Sequence, residues 1–446
     1  MRIIIGGAGD VGSHLARLLT EENHDIVLVD IVEDKLRKIG SVHDLMTIQG
    51  SVTSVSLLND ANVKKADLYI AVTGSEEVNI TSGILAKKLG AKKTIIRIDN
   101  PDYLLLSCKE IFSSVGIDYM IYPEMLAANE IVGLLHQAGM TEIVEFSGGK
   151  LSMYVIRLSE NAPVINKTLI EATEISKAVD FRAVAISRNT ETIIPRGQDR
   201  FMANDHVYIV TNQTSVSDIL RYSGIEQFDI KNIMILGGSR IAKKTAKQLG
   251  RQHNVKLIEI NREKAYQLSN YLEHTLVIHG DGSSVDLLVQ EGLPTMDAFV
   301  AVTGNSETNV ISCMLAKQLG VKKTIAEVEN VDYIKLAESM GIDAIINKKL
   351  IAANRIFRFT MSSEMSSIRR LIGTDAEVME FVVKPGSKIT AGPLKDMGFP
   401  KEAIIGGVIR GKSSFIASGN TIIKSDDRVV VFALPTAVTK MCKFFN

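Results

Sequence analysis

"RIIIGGAGDVG", residues Arg2 to Gly12, sets a β-branched apolar run directly against a glycine loop. Gly7, Gly9 and Gly12 are spaced G-x-G-x-x-G, and between a strand and a helix each has a mechanical reading. Gly7 permits the tight turn, Gly9 lets backbone approach a pyrophosphate, and Gly12 allows close helix-to-strand packing. Ala8, Asp10 and Val11 fill the loop and the helix start, where free N–H groups and a dipole contribution of ~0.3 to 1 kcal/mol per charge favour anions. Asp30 closes the next apolar run, where a carboxylate accepts hydrogen bonds from a ribose 2′-OH and repels a 2′-phosphate. The order strand, loop, helix, strand, acid predicts a doubly wound α/β nucleotide-binding fold that takes NAD or an adenosine nucleotide over NADP.

The stretch occurs twice. About 230 residues on, "ILGGSRIA" (Ile235 to Ala242) follows a similar strand. In the same register "DLYIAVTGSEEVN" (Asp67 to Asn79) matches "DAFVAVTGNSETN" (Asp297 to Asn309), and "AKKLGAKKTI" at Ala86 matches "AKQLGVKKTI" at Ala316. After a short deletion "LAANEI" at Leu126 matches "IAANRI" at Ile351. Two copies of one domain therefore share the chain of 446 residues.

Within the first copy, apolar runs near Arg2 to Ile5, Ile26 to Asp30, Leu45 to Gln49, Leu68 to Val72, Thr94 to Ile98 and Tyr119 to Tyr122 alternate with amphipathic segments. That alternation predicts βαβ units around a buried parallel sheet. From about Glu142 the pattern changes to closely spaced strands at Ser152 to Leu158, Ala183 to Ser187, Thr192 to Pro195 and Asp205 to Val210, as in a small α+β lobe. "GGVIRGKSSFIASGNTIIKSDDRVVVF" (Gly406 to Phe432) repeats it at the C-terminus. The expected order is large, small, large, small, with lobes at 1–140, 141–225, 226–360 and 361–446.

Lysine plus arginine and aspartate plus glutamate balance at 51 each, so the chain carries no net field for nucleic acid or an anionic membrane surface. Cys108, Cys313 and Cys442 are far apart with no CxxC pair, which fits a reducing compartment and argues against both a disulfide framework and a thiolate metal site. A strand at the very start leaves no room for a signal segment, and no uncharged run approaches the ~18 residues of a membrane span.

The second loop differs from the first. Gly237, Gly238, Ser239, Arg240 and Ile241 stand where the first copy has Gly7 to Val11, and Glu259 stands where it has Asp30. Ser239 replaces the glycine of closest approach and Arg240 adds a charge that pairs with phosphate. Two readings stay open: a different or weaker nucleotide, or a structural copy that binds none. Thr73-Gly74 and Thr303-Gly304 end the fourth strands, on the edge where a dinucleotide passes. Arg97 ends the fifth strand, with Glu327 in its place in copy two; an arginine there serves a phosphate, a neighbouring subunit or a surface ion pair. Asp281, in "HGDGSS" after the third strand, is a candidate to lie beside an adenine, and its counterpart is Ser51.

A dehydrogenase also needs a proton donor facing the nicotinamide, and none is legible. The eight histidines are scattered, His274 and His279 lack the spacing of a zinc motif, and no G-x-x-x-x-G-K-[ST] loop appears. A non-catalytic nucleotide sensor leads, with an NAD-dependent oxidoreductase and a sensor acting on some non-channel partner as alternatives.

A glycine-loop copy ending in Asp30, followed by "VAISR" and "DHVYIV" and then both again, resembles the TrkA family, the peripheral cytoplasmic subunits of bacterial Trk potassium-uptake systems, with two RCK domains per chain. The resemblance covers essentially the whole sequence. It implies two Rossmann-like lobes each followed by a small lobe, and a homo-oligomeric, tetrameric ring beneath a TrkH- or TrkG-like membrane protein. It further implies control of potassium uptake by NAD(H), ATP or ADP. It places nucleotide contacts at Gly7 to Val11, Asp30, Thr73, Gly74 and Arg97, and at Gly237 to Ile241, Glu259, Thr303, Gly304 and Glu327. Helices near Glu124 to Gln137 and Leu350 to Met361 would mediate lobe pairing.

Overall fold

A computed structural model describes every residue except 22–23, 137–141, 148, 176–179, 190, 213–214, 225–228, 358, 360–364, 372–373 and 446. The first large lobe runs β1 Arg2–Gly6, α1 Asp10–Glu21, β2 Asp25–Asp30, α2 Glu33–Gly40, β3 Met46–Gln49, α3 Val55–Asp60, β4 Leu68–Ala71, α4 Glu76–Lys88, β5 Lys93–Arg97, α5 Leu106–Ser114, β6 Tyr119–Ile121 and α6 Pro123–His136. Its sheet is parallel, ordered β3-β2-β1-β4-β5-β6. The chain leaves β1 in one direction through β2 and β3 and returns on its other side through β4 to β6. The carboxyl ends of β1 and β4 thus flank the crevice where such folds bind ligands. Ile3, Ile4, Ile5, Val27, Leu28 and Ile70 are fully buried, as a sheet covered on both faces requires.

The first small lobe contains β7 Glu142–Phe146, β8 Leu151–Arg157, α7 Leu169–Ile175, β9 Phe181–Arg188, β10 Glu191–Ile193, β11 His206–Thr211 and α8 Val216–Tyr222. The second large lobe repeats the first: β12 Asn232–Leu236, α9 Arg240–Leu249, β13 Asn254–Glu259, α10 Arg262–Tyr271, β14 Thr275–His279, α11 Val285–Gln290, β15 Ala298–Ala301, α12 Ser306–Gln318, β16 Lys323–Glu327, α13 Ile334–Ser339, β17 Ala344–Ile346 and α14 Lys348–Phe357. Its strand order is β14-β13-β12-β15-β16-β17. Last come β18 Met365–Arg370, β19 Glu377–Val382, β20 Ala403–Arg410, β21 Ser413–Ile416, β22 Arg428–Ala433 and α15 Pro435–Cys442.

The chain divides into two compact units, Met1–Ala127 with Asn347–Thr360, and Ala128–Ile346 with Met361–Asn446. The last helix of each large lobe is therefore exchanged. α14 follows the second sheet but packs on α1 in the first unit, where the ring of Phe359 just beyond it lies tilted against Tyr119 of β6, centroids 4.2 Å apart. α6, from Ala128 onward, belongs to the second unit, where Gln248 of α9 donates to Asn129 at 2.9 Å. The helices expected from the sequence to pair the lobes fall here, except Gln137, Arg358, Thr360 and Met361, which lie outside the described residues.

Within the second unit the small lobes pack sheet on sheet, with Phe146, Tyr208 and Val210 sharing a core with Val378, Ile404 and Phe432. A Cβ on Gly406 of β20 would stand 2.9 Å from Val210 and 3.1 Å from Val184, so this glycine sets the approach of the sheets. Each small lobe carries the same clamp. Arg188 grips buried Asp205 at 2.8 and 2.7 Å, and Arg410 grips buried Asp427 at the same distances.

Candidate functional site

In the first large lobe the three loop glycines divide the work. Gly7 sits at φ +107°, and a Cβ there would lie 2.9 Å from the Thr73 amide nitrogen. Gly9 faces open space, with nothing within 4 Å of a Cβ. A Cβ on Gly12 would fall 1.8 Å from the Gly7 carbonyl oxygen, so α1 lies closer to the loop than any side chain permits. The first-turn amides of α1 have no carbonyl four residues back to serve, which leaves them for an anion.

Asp30 ends β2 and holds this loop: one carboxylate oxygen accepts from the Ala8 amide at 2.6 Å and the other from Val32 at 2.9 Å. Across the crevice, the Thr73 amide and hydroxyl both donate to Asn79 at 2.8 and 2.7 Å. The Asn79 amide in turn donates to the carbonyls of Thr73 at 3.3 Å and Arg97 at 3.1 Å. Gly74 follows with nothing within 4 Å of its Cβ position. Arg97 reaches the same edge and pairs with Asp99 at 3.3 Å and Glu124 at 4.0 Å.

The second lobe reproduces the arrangement. Glu259 accepts from the amides of Gly238 at 2.7 Å and Asn261 at 2.8 Å, and Lys264 stands 3.4 Å from it. Thr303 donates to Asn309 at 2.9 and 2.7 Å, and Asn309 donates to the Glu327 carbonyl at 2.9 Å. Gly237, Gly238, Ser239, Glu259, Asp281, Thr303 and Gly304 line a single cleft of about 500 Å³. Asp281 accepts from the Ser283 amide and hydroxyl, which together hold its carboxyl below the usual range.

Ser239 has a structural job: its hydroxyl accepts from the Ala242 amide at 3.2 Å and caps α9. One first-turn amide is thereby engaged in the second loop that stays unengaged by a side chain in the first, where Gly9 has none. Arg240 and Ile241 open α9, the first exposed and the second buried. Glu327 is buried at the end of β16, so the Arg97 position is not merely altered in charge but withdrawn from solvent.

Three site residues escaped the sequence reading. Asn79 and Asn309, both 1% exposed, tie the fourth strand end to the fifth, and their signal was present as the asparagine that ends both "DLYIAVTGSEEVN" and "DAFVAVTGNSETN". Lys264 lines the second cleft. The TrkA-N domain family matches residues 3–123 and 233–348, and the TrkA-C domain family matches 153–224 and 378–446.

The chain belongs to the TrkA family. It is 34% identical over 449 residues to a Trk system potassium uptake protein TrkA homolog of Archaeoglobus fulgidus, covering all of both chains. It is 32% identical to the TrkA of Vibrio alginolyticus, covering 97% of this chain and 95% of that one. Among solved structures, the GsuK RCK domain superposes with a TM-score of 0.62 at 17% identity, over 100% of this chain and 94% of that chain. That likeness carries the fold, tandem RCK lobes.

Proposed function

We propose that this chain is a nucleotide-sensing regulatory subunit that gates potassium uptake through a Trk-type, TrkH- or TrkG-like membrane protein. The observation that carries the reading is the twice-built cradle, a glycine loop tied by Asp30 or Glu259 to the second strand, in a chain kin along its whole length to Trk potassium uptake proteins. NAD(H) fits the first cleft. Gly7 to Gly12 would hold its pyrophosphate, Asp30 its adenosine ribose, and Thr73, Gly74 and Arg97 the far side. NAD(H), ATP or ADP would occupy the second, among Gly237 to Ile241, Glu259, Asp281, Thr303 and Gly304. A GsuK channel of this fold has been solved bound to NAD, and another bound to ADP. The lobes 1–140, 141–225, 226–360 and 361–446 are the units that bind and pair.

No catalytic step is required. A ligand that fits one arrangement of the assembly better than another shifts the population between them. Turning a 1:99 equilibrium to 99:1 takes ~5.5 kcal/mol, or about 1.4 kcal/mol per site in a tetrameric ring. One rearranged phosphate contact supplies that. Among the described residues no helix is long and apolar enough to cross a membrane, so attachment to the cytoplasmic face would run through the partner. The test is copurification of the full chain with a polytopic Trk-type protein, followed by potassium flux with and without NADH, ATP or ADP. Nucleotide-dependent flux that Asp30→Ala blunts is expected; flux indifferent to every nucleotide refutes the reading.

A further inference from the structure

The cradle of the first copy is touched by a residue of the second. α14 lies on α1, and it brings the Lys349 ammonium to 2.6 Å from the Asp10 carboxylate. The Lys349 side chain is 20% exposed and that of Asp10 is 72% exposed, so the packed helix holds the lysine while the aspartate is in water. Asp10 is the first residue of α1, inside "GGAGDVG", one residue past the open space above Gly9. The two copies reverse these charges. Glu124 stands where α14 has Lys349, and Arg240 stands where α1 has Asp10.

A pyrophosphate settling on the first-turn amides enters the field of both groups. The Asp10 carboxylate repels it, and the ammonium, a point charge on a flexible four-carbon stem, attracts it. We propose that Lys349 is a phosphate-binding residue of the first cleft, supplied in exchange by the second copy, and that it leaves Asp10 for the pyrophosphate when nucleotide binds. The assignment rests on the nucleotide reading of that cleft. It gives occupancy a lever on the C-terminal half, because whatever pulls Lys349 pulls α14, and α14 continues directly from β17 of the second sheet. A ligand contact that favours one position of α14 is the differential interaction any coupling needs.

The test uses the full-length chain and NADH, read by hydrogen–deuterium exchange of the peptide spanning residues 6–15, which reports the first cleft alone. Lys349→Gln is expected to weaken NADH by about tenfold, and Lys349→Arg to stay within about twofold of the parent. Asp10→Asn is expected to tighten NADH by about two- to threefold, by removing the repulsion and releasing the lysine. The peptide over residues 348–357 gains protection with NADH in the parent and loses that gain in Lys349→Gln. A salt bridge with only a structural role predicts the same sign for Asp10→Asn and Lys349→Gln, since either change breaks it. Same-sign effects, or none, overturn the assignment and leave the nucleotide reading standing; no NADH protection of residues 6–15 in the parent overturns both. Because Asp10 is largely exposed, Asp10→Asn keeps the fold and its sign stays readable even where Lys349→Gln is destabilised.

Discussion

Gly12→Ala isolates what the first loop demands. The added methyl would sit 1.8 Å from the Gly7 carbonyl oxygen, 3.0 Å from its carbon and 3.4 Å from Val72 Cγ2. Carbon and oxygen in contact lie roughly 3.3 Å apart, so loop and helix must separate by about 1.5 Å. The loop cannot retreat, because Gly7 is already against the Thr73 backbone, donates to the Val29 carbonyl at 2.8 Å, and is followed by the Asp30 tie on Ala8. Folding loses only the difference of two terms: overpacking costs about 1 to 3 kcal/mol, and alanine regains about 1 kcal/mol of helix propensity. Binding loses more. A 1.5 Å shift takes an amide out of hydrogen-bond range, and each charge-assisted bond to phosphate is worth about 1.5 to 3 kcal/mol. Two lost bonds weaken the ligand by at least about a hundredfold. NADH titration and thermal melts of Gly12→Ala should therefore show a large affinity loss beside a melting shift of only a few degrees. The second lobe carries Ala242 at this position, fully buried. Gly12→Ala with parental affinity at the first cleft would refute the reasoning.

The remaining predictions concern the scaffold. Asp205→Ala leaves Arg188 and the Met202 amide without their buried acceptor, and should cost about 3 to 5 kcal/mol in denaturant unfolding; a loss below about 1 kcal/mol would show the clamp is dispensable. Lys323, 2% exposed at the start of β16, is pushed down to about 8 by burial, against the favourable pull of Asp343. Its folded value lies below its unfolded one, so the unfolded chain holds the extra proton from about pH 8 up to the ordinary lysine value, and stability rises with pH across that window. Lys323→Met should flatten that rise and stabilise the protein at pH 7 by up to about 3 kcal/mol. An unchanged pH profile in the variant would place the cost elsewhere.

Lys323 also shows where sequence stops. "KKTI" is spelled identically in both copies, yet Lys93 is exposed and Lys323 buried, because exposure is decided by what packs over the strand end and not by the strand. The elements that follow local chemistry were legible. Apolar runs became β1 to β6 within a residue or two, most clearly at the central β1, β2, β4 and β5, since a parallel strand buried on both faces is apolar along most of its length. The cradle was legible too, because glycine spacing answers to backbone geometry that few other residues satisfy. Asn79 was visible as a repeat but not as a clamp: besides its bonds to nearby Thr73 it donates to the carbonyl of Arg97, eighteen residues away at the end of β5.

The exchanged helices are the deeper case. "LAANEI" and "IAANRI" read equally as helices with an apolar face, and an apolar face specifies burial without naming the surface that buries it. What names it is charge. Glu124 and Glu130 mark the first helix as acidic, and Lys349 and Arg355 mark the second as basic. The loop helices invert in step, Asp10 against Arg240. Like charges opposed across a helix pair are unfavourable, so α14 suits α1 of the first copy and is ill matched to α9 of its own. Duplication alone would have left either pairing equally good. One difference between the two glycine loops, Asp10 against Arg240, is thus also a difference in the charge that α1 and α9 carry at their first residue. That ties the divergence of "GGAGDVG" from "GGSRIA" to the packing of α14 on α1, through the Lys349–Asp10 ion pair.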